Sequence, residues 1–214
     1  ECSGGGGLQA ATMVCTTNGG APLTLIGSVI PPVSIPLFDS MDAIVDMAMP
    51  GAVLSPWWHV ETGGCRATFA SMGSDFTLGP FGCNDIFVNG GSGGSFLQQP
   101  SPGTGLSAAS LRYEVFYALA STSPVNMDAA LEHYMFKISL LKAKTVGTGS
   151  CAGCGDAANF YFNGIALFIP TGAAGVPETD VSGDGVNQGV SVNNGTLSTA
   201  ARHTSWGSIK ALYR

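Results

Sequence analysis

Apolar and polar residues alternate with a period of two through most of this chain, the spacing of strands rather than helices. Met41, Ala43, Val45, Met47 and Met49 alternate with Asp42, Ile44, Asp46 and Ala48, which predicts a half-buried strand showing two aspartates to solvent or to a cation. Leu111, Tyr113, Val115, Tyr117 and Leu119 share one face of a second strand, and Leu23 to Ile30 form a third, stopped by Pro31-Pro32. The longest patterned stretch, Leu131 to Pro170, reads as two strands joined by a Gly-rich turn, a central hairpin. In its first strand Tyr134, Phe136, Ile138 and Leu140 lie on one face. In its second, Phe160, Phe162, Ala166 and Phe168 alternate against Tyr161, Asn163, Ile165 and Leu167, so both faces are largely apolar. A strand of that kind is buried on both sides or meets another chain.

The breaks between these segments are Gly, Pro, Asn and Ser clusters. Cys65–Met72 and Phe76–Phe87 read as two paired strands, and residues 89–105 (NGGSGGSFLQQPSPGTG) as a surface loop. Residues 123–130 suit a single helical turn. Residues 203–214 suit a short helix or final strand held by Trp206, Leu212 and Tyr213. With roughly eight to ten strands and hardly any helix, the chain is expected to be all-β, an antiparallel β-sandwich of jelly-roll type. Residues 1–14 form a Gly-rich N-terminal arm, and 15–214 a single sandwich domain.

Composition changes the picture in one respect. Of 214 residues 45% are hydrophobic, enough for a sizeable core, but only 10% are charged, against about 25% in an average soluble domain. Glycine supplies 31 residues, about twice the usual share of about 7%. The net charge is −6 and no basic run occurs, which argues against a nucleic-acid partner. A surface so poor in charge repels its own copies weakly. No run of eighteen apolar residues is present, so no membrane-spanning helix is expected.

The chain begins at Glu1, as a mature form would after removal of a signal peptide. Its six cysteines, Cys2, Cys15, Cys65, Cys83, Cys151 and Cys154, are an even set suited to an oxidising compartment. Spacing favours the local pairs Cys2–Cys15, Cys65–Cys83 and Cys151–Cys154, with other connectivities open. The Cys151-x-x-Cys154 spacing is also that of redox and zinc sites. Its Gly-rich setting between strands, with no second ligand pair, fits a structural clip better.

Other candidate chemistry is sparse. Asp180, Ser182 and Asp184, with Gly185, match the front half of a calcium loop, but Ser191 replaces the bidentate carboxylate, which leaves a weak site or a plain turn. No other cofactor is implied. His59, His133 and His203 are scattered, no G-x-S-x-G occurs, and no carboxylate pair stands out, so no catalytic activity is expected. Trp57 and Trp58 could stack on sugars, although aromatics of this kind more often serve the core. Asn194-Gly195-Thr196 is a glycosylation sequon, the mark of an exposed loop.

The segment Lys144 to Cys154 (KTVGTGSCAGC), the terminal Trp206 to Arg214 (WGSIKALYR), Val29 to Pro32 and Pro56-Trp57-Trp58 together resemble a group of uncharacterised secreted bacterial proteins. That resemblance implies secretion and a β-sandwich, and brings no activity with it. The functional expectation is a secreted, non-enzymatic subunit of an extracellular filament or surface layer. Leu8, Ala10 and Thr12 of the arm would add as a strand to a neighbour, and Tyr161, Ile165 and Leu167 would meet another copy. The alternative is a carbohydrate-binding or adhesive module acting as a monomer through Trp57 and Trp58.

Overall fold

A computed structural model describes residues 10–74, 76, 84–119, 124–170, 179–181 (backbone only) and 189–196. Cys2, Leu8, Cys83, Ser182, Asp184 and the terminal segment 203–214 lie outside the described residues. The strands are β1 (Ala10–Ala11), β2 (Leu23–Val29), β3 (Ile35–Phe38), β4 (Ser40–Ala48), β5 (Ala70–Gly73), β6 (Asn84–Asp85), β7 (Gly91–Gln98), β8 (Ser110–Leu119), β9 (Val125–Met127), β10 (His133–Leu140), β11 (Ala158–Phe168), β12 (Thr179–Val181) and β13 (Gly189–Val192). Among the described residues the only helical element is a 3-10 turn at Pro56–Trp58. The chain is an all-β sandwich.

The larger sheet runs β1-β13-β11-β4-β8-β7, with β12 beside β13 along the same side of β11. The second sheet runs β2-β10-β5 with β6 also on β10, and β3 pairs β9 as a small third ribbon. Pairing is antiparallel except for β1–β13 and β6–β10. One core cluster extends in sequence from Met13 to Val192.

The strictly alternating strands behave as their pattern dictates. Met41, Ala43, Val45 and Met47 of β4 are buried, as are Leu111, Tyr113, Val115 and Leu119 of β8. Each large side chain among them is worth roughly 1.5–3 kcal/mol on burial. Asp42 and Asp46 stand on the opposite, half-buried face.

The expected central hairpin does not form. β10 belongs to the second sheet and β11 to the larger one, so they face each other across the core, with Phe136 packed edge-on to Phe162 at 5.2 Å. Nor does β11 have two apolar faces. The register slips between Phe162 and Gly164 opposite β4, so Asn163 is an inserted bulge residue. Phe160 pairs Met47 on the inner face before the bulge, and Ile165 and Leu167 pair Ala43 and Met41 there after it. Ile165 and Leu167 are therefore core residues of their own chain, 3% and 1% exposed, and are corrected from subunit contacts to internal packing.

Other expectations are corrected as well. Residues 91–98 are a strand, not a loop, and residues 125–127 are a strand where a helical turn was expected. Of the strand pair placed at 65–87, the described residues show Ala70–Gly73 and the two-residue β6, while 75 and 77–83 lie outside the described residues. The end of the N-terminal arm is engaged within the chain: Ala10 and Ala11 pair with Ser191 and Val192, Met13 is buried, and its N–H donates to Asn193 Oδ1 at 2.8 Å.

Candidate functional site

Two regions collect the residues of interest. The first is the turn at 141–157 that links the sheets. Cys15 bridges Cys154 and Cys65 bridges Cys151, with Cα–Cα distances of 5.8 and 6.1 Å. The local pairs Cys2–Cys15, Cys65–Cys83 and Cys151–Cys154 are thereby corrected. Instead of clipping its own turn, the CAGC segment receives one bridge from the N-terminal region and one from the 59–66 loop. Sequence spacing could not show this, because loop length bears on the entropy of closure and not on which sulfurs meet in the fold.

The tryptophans complete this node. Trp57 N–H donates to Ala152 O at 2.8 Å, Trp57 Nε1 to Thr145 Oγ1 at 3.0 Å, and Trp58 Nε1 to Gly153 O at 3.1 Å. Both rings are buried, at 0% and 1% exposure, so neither offers a face to a sugar. Arg66, fully buried, stacks its guanidinium 3.4 Å from the Trp57 ring centre. It donates to the carbonyls of Ala143, Trp57 and Leu141. Burial lowers its pKa to about 10, so it remains charged at neutral pH. Asn18 Oδ1 accepts from Thr145 N and Val146 N, pinning the same turn from below. Gly153, at φ 95°, has no room for a Cβ, which would lie 2.4 Å from Ser55 Cβ. The node is structural: two buried half-cystines, Cys151 and Cys154, leave no thiol for redox work.

The second region is the outer face of the larger sheet. Arg112 grips Asp46 with two bonds, Nε to Oδ1 at 2.7 Å and Nη2 to Oδ2 at 2.8 Å, and the bulge residue Asn163 donates to Oδ2 at 2.6 Å. The Asp46 carboxylate holds the Arg112 guanidinium above its ordinary value. One turn of the pattern away, Asp42 and Glu114 lie together. Burial raises both, and the hydrogen bond between them lowers Asp42 while raising Glu114. Among the described residues no three His, Cys, Asp or Glu side chains converge as metal ligands.

Glu114 sits directly opposite Phe96 of β7, and Phe116 opposite Gly94. Phe96 and Phe116 are 44% and 45% exposed. The glycines of β7 are there because aromatic rings of β8 cross them. A Cβ at Gly94 would lie 2.6 Å from the Phe116 ring, and one at Gly93 2.5 Å from the Tyr117 ring. β7 ends the sheet, and among the described residues no strand pairs with its outer edge.

Of the remaining expected site residues, Ala10 and Thr12 are exposed beside the β1–β13 pair, and Tyr161 is half-buried on the outer face. Asp180 is placed by its backbone in β12, opposite Ala166. Asn194 is exposed in a tight turn with Asn193, at φ 60° and 54°. Sequence reasoning missed two features, the β7 edge and a His59–Glu61 contact. Gly/Ser composition hid the first, and a search for paired histidines passed over the second. Comparison of the chain with family models, with curated proteins and with solved structures finds no match.

Proposed function

We propose that the chain is a non-enzymatic structural subunit of an extracellular filament or surface layer, joined to further copies through the outer edge of β7. The observation that carries this reading is the character of that edge. Edge strands are ordinarily guarded by Lys, Pro, bulges or short length. β7 is eight residues long, GSGGSFLQ, has no charge and no proline, and keeps an unbroken register with β8. Nothing on it repels a second copy, and Phe96 and Phe116 add apolar surface beside it.

The magnitudes make each contact weak. An added strand would close about four hydrogen bonds at roughly 1 kcal/mol each. Burying two phenylalanines adds roughly 2 kcal/mol each. The sum is comparable with the 4–15 kcal/mol or so that association costs, so single contacts dissociate readily and assembly depends on concentration or repetition. The two cystines are compatible with an extracellular setting, and among the described residues no helix is long and apolar enough to cross a membrane.

The test is light scattering and negative-stain microscopy of the wild type beside a Ser95→Lys/Phe96→Lys variant. The wild type is expected to form concentration-dependent oligomers or filaments, and the variant, with unchanged far-UV dichroism, to stay monomeric. A variant that assembles like the wild type, or a wild type that stays monomeric at about 1 mM, sinks the reading.

A further inference from the structure

Beside the cystine node, the 59–66 loop and the residue after β7 border a shallow, open cleft of about 500 Å³. Its walls include Leu54, Pro56, His59, Glu61, Thr62 and Gln99. The loop is rigid for identifiable reasons. Arg66 N–H donates to His59 O at 2.9 Å, and Gly64 N–H to Glu61 O at 2.9 Å. Gly63 turns the chain at φ 86°, and Gly64 leaves room for the His59 carbonyl, which a Cβ would approach to 2.4 Å. The buried Trp57-Trp58 pair anchors the start of the loop and the Cys65–Cys151 bridge its end. Gln99 Nε2 donates to Thr62 O at 3.3 Å across the mouth.

Into this cleft the loop presents one ordered imidazole. His59 Nδ1 lies 2.5 Å from Glu61 Oε1, with the histidine side chain 36% exposed and the glutamate side chain 7%. A carboxylate only accepts, so Nδ1 carries the proton of this contact, and Nε2 is the ring nitrogen left for a ligand. Glu61 Oε2 is buried with no hydrogen-bond partner among the described residues. The carboxylate's charge therefore bears on the imidazole, and a carboxylate-backed histidine is a stronger acceptor at its other nitrogen. A buried carboxylate left partly unsatisfied costs stability, and such a cost is commonly met at binding sites.

We infer that this cleft binds a saccharide, with His59 Nε2, Thr62 and Gln99 meeting its hydroxyls and Pro56 and Leu54 its apolar ring face. The chemistry of the walls selects this class. No Lys or Arg lines the cleft, so a phosphate or carboxylate would find no countercharge. Nδ1 is taken by Glu61 and Nε2 points away on the other side of the ring, so Nε2 and the glutamate do not converge on one metal ion. What remains is one carboxylate together with neutral donors and acceptors beside apolar carbon, and hydroxyls, which give hydrogen bonds to a carboxylate and both give and take them elsewhere, match it. The volume falls in the ordinary range of ligand sites. This site replaces the buried Trp57 and Trp58 as the place where a sugar would be held. It is independent of association through β7.

The test is an NMR titration of the full chain with glucose, galactose, mannose, N-acetylglucosamine, maltose and cellobiose, following the His59 ring and the Thr62 and Gln99 amides. At least one sugar is expected to give saturable shifts confined to these groups, with Kd in the millimolar range. Affinity should fall by about tenfold in His59→Ala and roughly threefold in the exposed Gln99→Ala variant, the loss of one hydrogen-bond partner each. Absence of saturable shifts up to about 50 mM of every sugar, or shifts unchanged in both variants, overturns the inference.

Discussion

Removal of either disulfide should bring the fold close to its limit of stability. Cys15–Cys154 and Cys65–Cys151 span 139 and 86 residues. Considered singly, the chain-entropy relation assigns them about 5 and about 4.6 kcal/mol. They are not independent, because both end on the same short turn. With one bridge closed, the other still closes a ring of roughly 50 residues, through 15–65 and 151–154, so losing either alone costs about 4 kcal/mol. Whole domains have only about 5–15 kcal/mol in hand. A local Cys151–Cys154 clip would instead contribute about 2 kcal/mol, from a ring of about four residues. The assay is equilibrium urea unfolding of Cys15→Ala/Cys154→Ala and Cys65→Ala/Cys151→Ala beside the wild type, with peptide mapping under non-reducing conditions. Each double variant should lose about 4 kcal/mol, and the map should link the 15 and 65 regions to the CAGC turn. A Cys151–Cys154 linkage, or a loss below about 1 kcal/mol in both variants, would refute the reasoning.

Arg66→Ala strips three backbone carbonyls of their donor and empties the space under Trp57, a loss of roughly 3–5 kcal/mol. Thermal melting should fall by about 10 °C, and Arg66→Lys should recover less than half, since an ammonium cannot reproduce the planar fork. A shift under about 2 °C for Arg66→Ala would contradict this account. Asp42 and Glu114 titrate above the ordinary values of 3.8 and 4.5, both through burial first; the Asp42 charge raises Glu114 further, whereas the hydrogen bond with Glu114 partly lowers Asp42. Folding therefore favours their protonated forms. Their contribution is fully present below the unfolded values and is lost as pH rises through the raised ones. Glu114→Gln removes the repulsion, and should raise stability at pH 7 by a few tenths of a kcal/mol, screened as the pair is, while leaving pH 3 unchanged. Urea midpoints at the two pH values check the sign, and a lower midpoint at pH 7 would contradict it.

Where one face packs on the core and one does not, the sequence was legible. β4 and β8 are unbroken nine- and ten-residue pairings with no register shift, and every inward residue follows from alternation. Alternation fails at single inserted residues. Met135 in β10 and Asn163 in β11 each shift the phase by one, and in β11 this turns an inner-then-outer apolar pattern into one continuous inner face. No local signal separates such a bulge from a strand apolar on both sides. β7 failed for the opposite reason. Its glycines read as a loop because the residues that make it a strand, Phe116 and Tyr117, lie on β8 and appear only once the two are paired. The cystine connectivity is likewise a property of the assembled sheets.

Ile165 and Leu167 need no cover from a partner copy, because the bulge at Asn163 turns both into the core of their own chain. The end of the N-terminal arm is likewise engaged, since Ala10 and Ala11 are paired to β13 at one end of the larger sheet. Among the described residues, the edge with no strand paired to it and no charge on it is β7, at the other end. A sheet ending at one side in the short β1 and at the other in the long, uncharged β7 can pair β7 with β7 about a two-fold axis, which closes at a dimer. Continuous growth requires that the short β1 edge also accept a strand. Ala10 is exposed and, among the described residues, β1 comprises two, Ala10 and Ala11, so that junction is the weaker of the two. If assembly proceeds through both edges, charge placed on β7 should abolish all association. Charge placed at Ala10 should instead leave β7-paired dimers, and the size of the residual species distinguishes a filament from a dimer.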